Sequence, residues 1–345
     1  MHDLACVVHL HSLHSDGTGT VPEIARAARR ARVDVVLLTD HDSLEAKRRG
    51  EEGWYGGDVL VLVGSEVSPE RRNHLLAFGI DQEIDHAQLD AAGICRAVRD
   101  AGGFGFAAHP FSRGSERFKR AGTGMPFDAL DCDALDGIEL WSFVNDTGEA
   151  LGSVRDLLRF VVAPARALDH PPARNTRAWD ELCRRRRVVA LGGLDAHQFG
   201  KRVGRFVPLR IMSYARSFRY MRTHVLCSEA PSGDLEHDRD QVYEALRAGR
   251  CYIAVDAIAS ARGFSFEAGE LVMGQEGPAG RRVLRALTPL PARLRLLRDG
   301  REAASKQGTS LEHEIEEPGV YRIEARRVAK GRERTWILSN PIYLR

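Results

Sequence analysis

The sequence predicts an α/β body with an appended antiparallel β-sandwich. Short apolar runs recur along the first two-thirds of the chain and are separated by amphipathic helical patterns, the alternation expected of a βα repeat. Ionisable residues gather where those runs end, the position at which barrels and open α/β sheets keep their chemistry. From about Arg262 the helical period disappears, and alternating runs bounded by turn dipeptides take its place.

The elements follow in order. Ala5-Cys6-Val7-Val8 reads as a buried strand with His9-Leu10-His11 at its tip, and residues two apart on a strand share a face. After a turn at Ser15-Asp16-Gly17, Val21-Pro22-Glu23 opens a helix with Ile24, Ala27, Ala28 and Ala31 on one face. A second run, Val33 to Leu38, delivers Thr39-Asp40-His41-Asp42, and a third, Val59 to Val63, leads into Gly64-Ser65-Glu66. Asn73-His74 precedes Leu75-Leu76-Ala77-Phe78. A helix from about Leu89 to Ala101 is followed by Phe104 to Ala108, which delivers His109-Pro110. Gly137-Ile138-Glu139-Leu140-Trp141 is a further strand, trailed by two helical segments, the second near Trp179 to Arg187. Val188 to Leu191 leads to Gly192-Gly193-Leu194-Asp195-Ala196-His197. His224 to Cys227, a helix near Asp240 to Ala248 and Cys251 to Val255 complete the α/β body, taken as residues 1–261. In 262–345, runs such as Arg293-Leu294-Arg295-Leu296 and Tyr321-Arg322-Ile323-Glu324-Ala325 flank turns at Asp299-Gly300 and Glu317-Pro318-Gly319, as in a small β-sandwich.

Composition narrows the class. At 345 residues with 43% hydrophobic and 28% charged content, the chain matches a globular enzyme and excludes a disordered or fibrous protein. A net charge of +2 argues against a dedicated polyanion binder. The six cysteines are scattered without a CxxC pair and read as buried apolar residues in a reducing compartment. Met1-His2-Asp3-Leu4 leads straight into the first strand, so no secretory leader is expected, and no apolar run approaches the roughly 20 residues that span a bilayer. The expectation is a cytoplasmic protein with no membrane and no obligate protein partner.

His9, His11, Asp16, His41, Glu66, His74, His109, Asp195 and His197 are candidate metal ligands, because each lies at or beside the end of an apolar run. Asp195 and His197 repeat the two-apart spacing of His9 and His11. Imidazole and carboxylate donors without thiolate suit Zn, Mn or Fe. The two oxygens of Glu66 could each take one ion, and water between such ions ionises near neutral pH, which supplies the hydroxide of a hydrolase. The other histidines (His2, His14, His86, His170, His224, His237 and His313) are left to structural roles.

His9-Leu10-His11, Ser15-Asp16-Gly17, Thr39-Asp40-His41-Asp42, Gly64-Ser65-Glu66, Ala108-His109-Pro110 and Asp195-Ala196-His197 resemble the successive motifs of the polymerase and histidinol phosphatase (PHP) superfamily, in family order over roughly residues 4–200. The resemblance implies a distorted (β/α)7 barrel with two or three divalent metal ions. It implies His9, His11, Glu66 and Asp195 around the first ion, Glu66, His74 and His109 around the second, and Asp16, His41 and His197 around a third, where Asp16 stands in place of the His of some relatives. The tail, Trp336-Ile337-Leu338-Ser339-Asn340-Pro341-Ile342-Tyr343 with Gly319-Val320-Tyr321-Arg322 and Ala248-Gly249-Arg250, is similar to the CehA/McbA-like branch, whose named members hydrolyse an aryl carbamate ester.

Arg113, Lys201 and Arg202 follow His109 and His197 on loops suited to stabilising a transferring phosphoryl group, alongside catalytic roles for Glu66 and Asp195. Arg184 to Arg187 read as a solvated helix end. Asp40 and Asp42 read as acceptors that orient nearby histidines, and Trp141 and Phe143 as core. The expected activity is metal-dependent phosphoesterase hydrolysis of phosphate mono- or diesters, nucleotide-like or small organic, by a metal-bridging hydroxide. Alternatives are a carboxylic or carbamate ester hydrolase, a 5′-3′ exonuclease acting on short oligonucleotides or nucleoside bisphosphate phosphatase, and a non-catalytic metal-containing binding protein.

Overall fold

The structure, a computed structural model, describes the chain apart from residues 115–123, 163–168, 199, 204–206 and 211, and the side chains of 157, 159, 161, 162, 200–203 and 207–210 are also outside the description. It is a mixed α/β protein built on a large sheet. Cys6–Val8 pairs in parallel with Val35–Leu37, and Val35–His41 pairs in parallel with Leu60–Glu66. The order then changes. Leu75–Phe78 lies antiparallel to the strands on both its sides, Val59–Val67 and Phe104–Ala107, before parallel pairing resumes through Gly137–Ser142 to Val189–Gly193. The reason is the short link from Val67 to Leu75, which holds no helix; a parallel return needs a crossover of a dozen or more residues.

The last of these strands comes back to the first. Leu194 N–H donates to the Val8 carbonyl at 2.9 Å, Ala196 N–H to that of His9 at 3.3 Å, and His11 N–H to that of Ala196 at 3.0 Å. Leu10 and Ala196 form a parallel bridge.

Alternation places successive strand residues on opposite faces. Val36, Leu38, Val61, Val63, Ala77 and Ile138 pack with Ile24, Ala28, Ile94 and Val98 of the helices Val21–Ala31 and Ala91–Asp100. Cys6, Val8, Leu37, Leu62, Phe78, Phe106 and Leu191 pack with one another and with Tyr243 and Leu246 of the helix Leu235–Arg247. Both faces are therefore dry, which is why these strands are apolar throughout. The helix Val21–Ala31 starts at a capping box: Thr20 accepts from Glu23 N–H at 3.3 Å, and Glu23 accepts from Thr20 N–H at 3.0 Å.

Beyond residue 262 the expected β-only pattern holds, in longer strands than the sequence suggested. Arg282–Arg298, Arg301–Ile315, Gly319–Ala329 and Arg332–Ser339 form antiparallel pairs. Asp299-Gly300, at φ 51° and 79°, and Lys330-Gly331, at φ 52° and 77°, carry the left-handed pairs that tight hairpins require. Arg332–Ser339 also pairs with Cys251–Ala254, so the C-terminal strands join the large sheet.

Asn340 fills a gap in that junction. Its Oδ1 accepts from Ala190 N–H at 2.8 Å, and its Nδ2 donates to the carbonyls of Ala190 and Cys251 at 3.0 and 2.9 Å. The side-chain amide thus serves Ala190 as a neighbouring strand would. Where two helical segments were expected after Trp141, three occur among the described residues: Phe143–Glu149, Val154–Val162 and Ala173–Arg185.

Candidate metal centre

Two tripeptides form the floor of the site. Strand geometry ends at Val8, where the apolar run ends, and at Gly193, two residues beyond the run that closes at Leu191. His9 and Asp195 then adopt left-handed φ values of 64° and 50°. The Leu10 and Ala196 bridge lays His9-Leu10-His11 beside Asp195-Ala196-His197, so the two-apart pairs converge from neighbouring segments. His109, after Phe104–Ala107, is left-handed as well, at φ 34°. Such conformations cost of order 1–3 kcal/mol each in non-glycine residues, and they cluster at functional sites.

Glu66 is the hub. Its Oε1 lies 2.8 Å from His74 Nδ1 and 3.3 Å from His109 Nε2. Its Oε2 lies 3.0 Å from His9 Nε2, 3.3 Å from His11 Nε2 and 3.3 Å from His41 Nδ1. Asp195 Oδ1 sits 3.5 Å from His9 Nε2, 3.3 Å from His11 Nε2 and 3.5 Å from His197 Nδ1. Asp16 Oδ1 faces His197 Nε2 at 3.1 Å, His41 Nε2 at 3.8 Å and His11 Nδ1 at 3.9 Å. All the candidate ligands thus meet in one place. Four groups within it could each hold an ion: His11, Asp16, His41 and His197; His9, Glu66 and His109; His9, His11 and Asp195; and His41, Glu66 and His74. His11 belongs to two of them, a sharing that the motif resemblance did not assign.

The electrostatics follow from this crowding. Burial disfavours charge on His9, yet Glu66, Glu139 and Asp195 hold its imidazole pKa well above the ordinary value. Burial would push Glu66 up, but His9 and the hydrogen bonds of His109 and His74 hold it well below the usual carboxylate range. Asp195 goes the same way, with burial overcome by His9 and by the His11 and His197 imidazoles beside it. Burial lowers His11. His197 is raised to about 9, burial being outweighed by its bond to Asp16.

The donor set fits divalent cations. His11 is buried, and among the described residues neither of its ring nitrogens has a hydrogen-bond partner. A buried imidazole left so is costly, whereas nitrogens facing carboxylate oxygens are what an ion between them requires.

No family model matches the sequence, and a search of curated proteins finds no match. Among solved structures, the fold is similar to a two-domain protein from Bacteroides vulgatus containing a predicted PHP-like metal-dependent phosphoesterase, at 16% identity and a TM-score of 0.47, over 98% of this chain and 95% of that one. The likeness is to PHP-like proteins. A provisionally named metal-dependent phosphoesterase from Bifidobacterium adolescentis aligns at 19% identity and a TM-score of 0.38, over 62% of this chain and 94% of that one. An amidohydrolase from Chromobacterium violaceum, with bound sulfate and no metal, aligns at 19% identity and a TM-score of 0.29, over 56% of this chain and 87% of that one.

Around the candidate ligands, several residues act that the sequence pattern did not mark or placed differently. Glu139 Oε2 lies 3.1 Å from His9 Nδ1. Asn145 Nδ2 donates to Asp195 Oδ2 at 2.7 Å. Among the described residues Asp40 bonds no histidine; it accepts from Ser12 N–H and Oγ at 2.7 Å each and from Ser15 Oγ at 2.6 Å, which secures the loop between His11 and Asp16. Asp42 does meet a histidine, His86, at 3.1 Å, though not one of the candidate ligands.

Arg113 is exposed and lines a groove of about 690 Å³ with Arg72, Arg174, Phe111 and Ser112. Lys201 and Arg202 belong to the strand Gly200–Val203, with side chains outside the described residues. Trp141 and Phe143 are core, as expected.

Proposed function

We propose that the chain is a metal-dependent hydrolase of the PHP superfamily that cleaves phosphate mono- or diesters, nucleotide-like or small organic. The observation that carries this reading is the division of Glu66, one oxygen toward His74 and His109 and the other toward His9, His11 and His41. Such a carboxylate suits a centre of two or three ions, Zn, Mn or Fe, with His9, His11, Asp16, His41, Glu66, His74, His109, Asp195 and His197 as ligands. Ions bound there would supply acidified water near neutral pH and neutralise charge on the substrate's oxygens. The protein's own part is to hold the donors at fixed separations in a pocket that is buried around Glu66 and open at Asp16 and His41, and to offer cations at its rim. Arg113 is the described candidate for that second task, with Lys201 and Arg202 proposed beside it.

The ring of strands closed by the Leu194, Ala196 and His11 hydrogen bonds supports a distorted (β/α)7 barrel. The apolar cluster of Phe266, Leu284, Leu294, Ile323 and Trp336, which Leu226, Tyr252 and Ala254 of the body join, supports a β-sandwich at 262–345 beside a hydrolase body at 1–261. The six cysteines are unpaired, in keeping with a cytoplasmic setting, and among the described residues no helix is long and apolar enough to cross a membrane.

The test is a substrate panel with Mn or Zn supplied: bis(p-nitrophenyl) phosphate, nucleotides, sugar phosphates, short single-stranded oligonucleotides, naphthyl esters and aryl carbamates. Turnover of phosphates supports the proposal, and nucleotide release from the oligonucleotides would narrow it to an exonuclease. Turnover confined to esters or carbamates would replace it with the CehA/McbA-like activity. Metal binding without any turnover would leave only a binding role.

A further inference from the structure

Glu139 stands in the middle of the strand Gly137–Ser142, between the buried apolar residues Ile138 and Leu140, and is 1% exposed. Nothing in the packing of that strand calls for an acid. Its carboxylate instead reaches two site residues carried by other elements: Oε2 lies 3.1 Å from His9 Nδ1 and accepts from His109 backbone N–H at 2.7 Å. Among the described residues Oε1 has no hydrogen-bond partner. The carboxylate lies in space left by Gly193, where a Cβ would come within 2.0 Å of Glu139 Oε1 and 2.7 Å of its Cδ. Gly193 has no left-handed φ to explain it; the neighbouring carboxylate does.

We propose that Glu139 is a positioning residue of the metal centre, and that Gly193 is bare to admit it. Accepting the hydrogen bond of His9 Nδ1–H keeps the hydrogen on that nitrogen, so that Nε2, on the side of Glu66 and Asp195, is the nitrogen left to bind an ion. In the other tautomer Nε2 would carry hydrogen and could not bind an ion. Accepting from His109 N–H holds the left-handed turn that sends the His109 ring toward Glu66 Oε1. One carboxylate therefore aims histidines on both sides of Glu66. The proposal rests on the metal-centre reading above.

The test compares metal binding by wild type, E139Q, E139A, G193A and the double variant E139A/G193A, each stripped with chelator and titrated with Zn²⁺ and Co²⁺. Bound metal is counted after gel filtration, affinity is read by competition with a chromophoric chelator, and the visible Co²⁺ spectrum reports ligand geometry. The expected loss for E139A is roughly 10- to 100-fold in affinity for at least one ion, the usual effect of removing an outer carboxylate, with an altered Co²⁺ spectrum. E139Q keeps one acceptor oxygen and should lose less. G193A should reproduce the E139A signature by displacing the carboxylate, and the double variant should be no worse than E139A, because the clash is gone. A purely structural role would lower the melting temperature in chelator and leave affinity and spectrum unchanged. If E139A does not fold, the near-isosteric E139Q and G193A carry the comparison. Wild-type affinity and spectrum in E139Q and G193A would overturn the proposal, whereas a wild type that binds neither ion would overturn the metal-centre reading itself.

Discussion

Asp195 shows how much one side chain can hold. Its Oδ1 faces His9, His11 and His197, and its Oδ2 accepts from Asn145. Asp195→Ala leaves those imidazoles without that carboxylate, so the loss of turnover and of bound metal should exceed the roughly 10- to 100-fold that loss of an outer partner costs. Metal analysis and the substrate panel measure both, and the melting curve shows whether the fold survives. A variant with full metal content would remove Asp195 from the ligand set. The candidate ligands were legible because each lies at or beside the end of an apolar run, a pattern that period-two strands impose on any site at their ends. Glu139 was not, since an acid inside an apolar strand carries no mark of what it faces. Nor were the left-handed turns at His9, His109 and Asp195, which depend on neighbours far away in sequence.

At the level of elements, the first strand is tied down by charge. His224, from the strand Arg222–Cys227, places Nδ1 2.6 Å from Asp3 and Nε2 3.3 Å from Asp256. Burial lowers its pKa, but the hydrogen bonds it donates to Asp256 and Asp3 outweigh that and raise it above 6.5. Asp3 and Asp256 are lowered, burial being overcome by His224. A raised folded-state pKa contributes stability that is complete below the unfolded value and is lost as pH rises through the folded one. The depressed carboxylates act in the opposite sense: their contribution is complete above 3.8 and is lost as pH falls through their folded values. Denaturant unfolding of wild type and His224→Gln between about pH 5 and about pH 9 should therefore show the largest stability gap at the acid end of that window and a shrinking gap toward the alkaline end. A gap independent of pH would mean that His224 contributes by packing alone. The helix Val21–Ala31 offers a simpler case: Thr20→Ala breaks the capping box and should cost about 1 kcal/mol, read from the shift in denaturation midpoint. That helix was legible from Val21-Pro22-Glu23 and from the spacing of Ile24, Ala27, Ala28 and Ala31, though not its Thr20 cap. The antiparallel placing of Leu75–Phe78 was not, because periodicity shows a strand without showing its direction.

Across the whole molecule, the C-terminal strands brace the strand that leads to Asp195 and His197. Tyr343 Oη accepts from Val188 N–H at 3.2 Å, Asn340 serves Ala190, and Arg322 holds Asp180 through Nε at 2.7 Å and Nη2 at 2.8 Å while lying over the Trp179 ring. The sequence showed the tail motif and the change of pattern near Arg262, but not these contacts, because a side-chain amide standing in for a strand leaves no periodic trace. The Arg322 and Asp180 pair is buried on both sides, and its energetics decide what a mutation does. Arg322→Met leaves Asp180 without its cation in a dry setting, which should cost about 3–5 kcal/mol. Arg322→Met with Asp180→Leu removes both charges and should recover most of that loss, since well-packed apolar replacements of buried pairs are often neutral or stabilising. Denaturant unfolding of the two single variants and the double closes the cycle. If bracing from the C-terminal strands holds the metal-binding strand in place, Arg322→Met should also release bound Zn²⁺ at a lower denaturant concentration than wild type, with the double variant restored; release that ignores the pair would confine its role to the helix Ala173–Arg185 and the strand Gly319–Ala329.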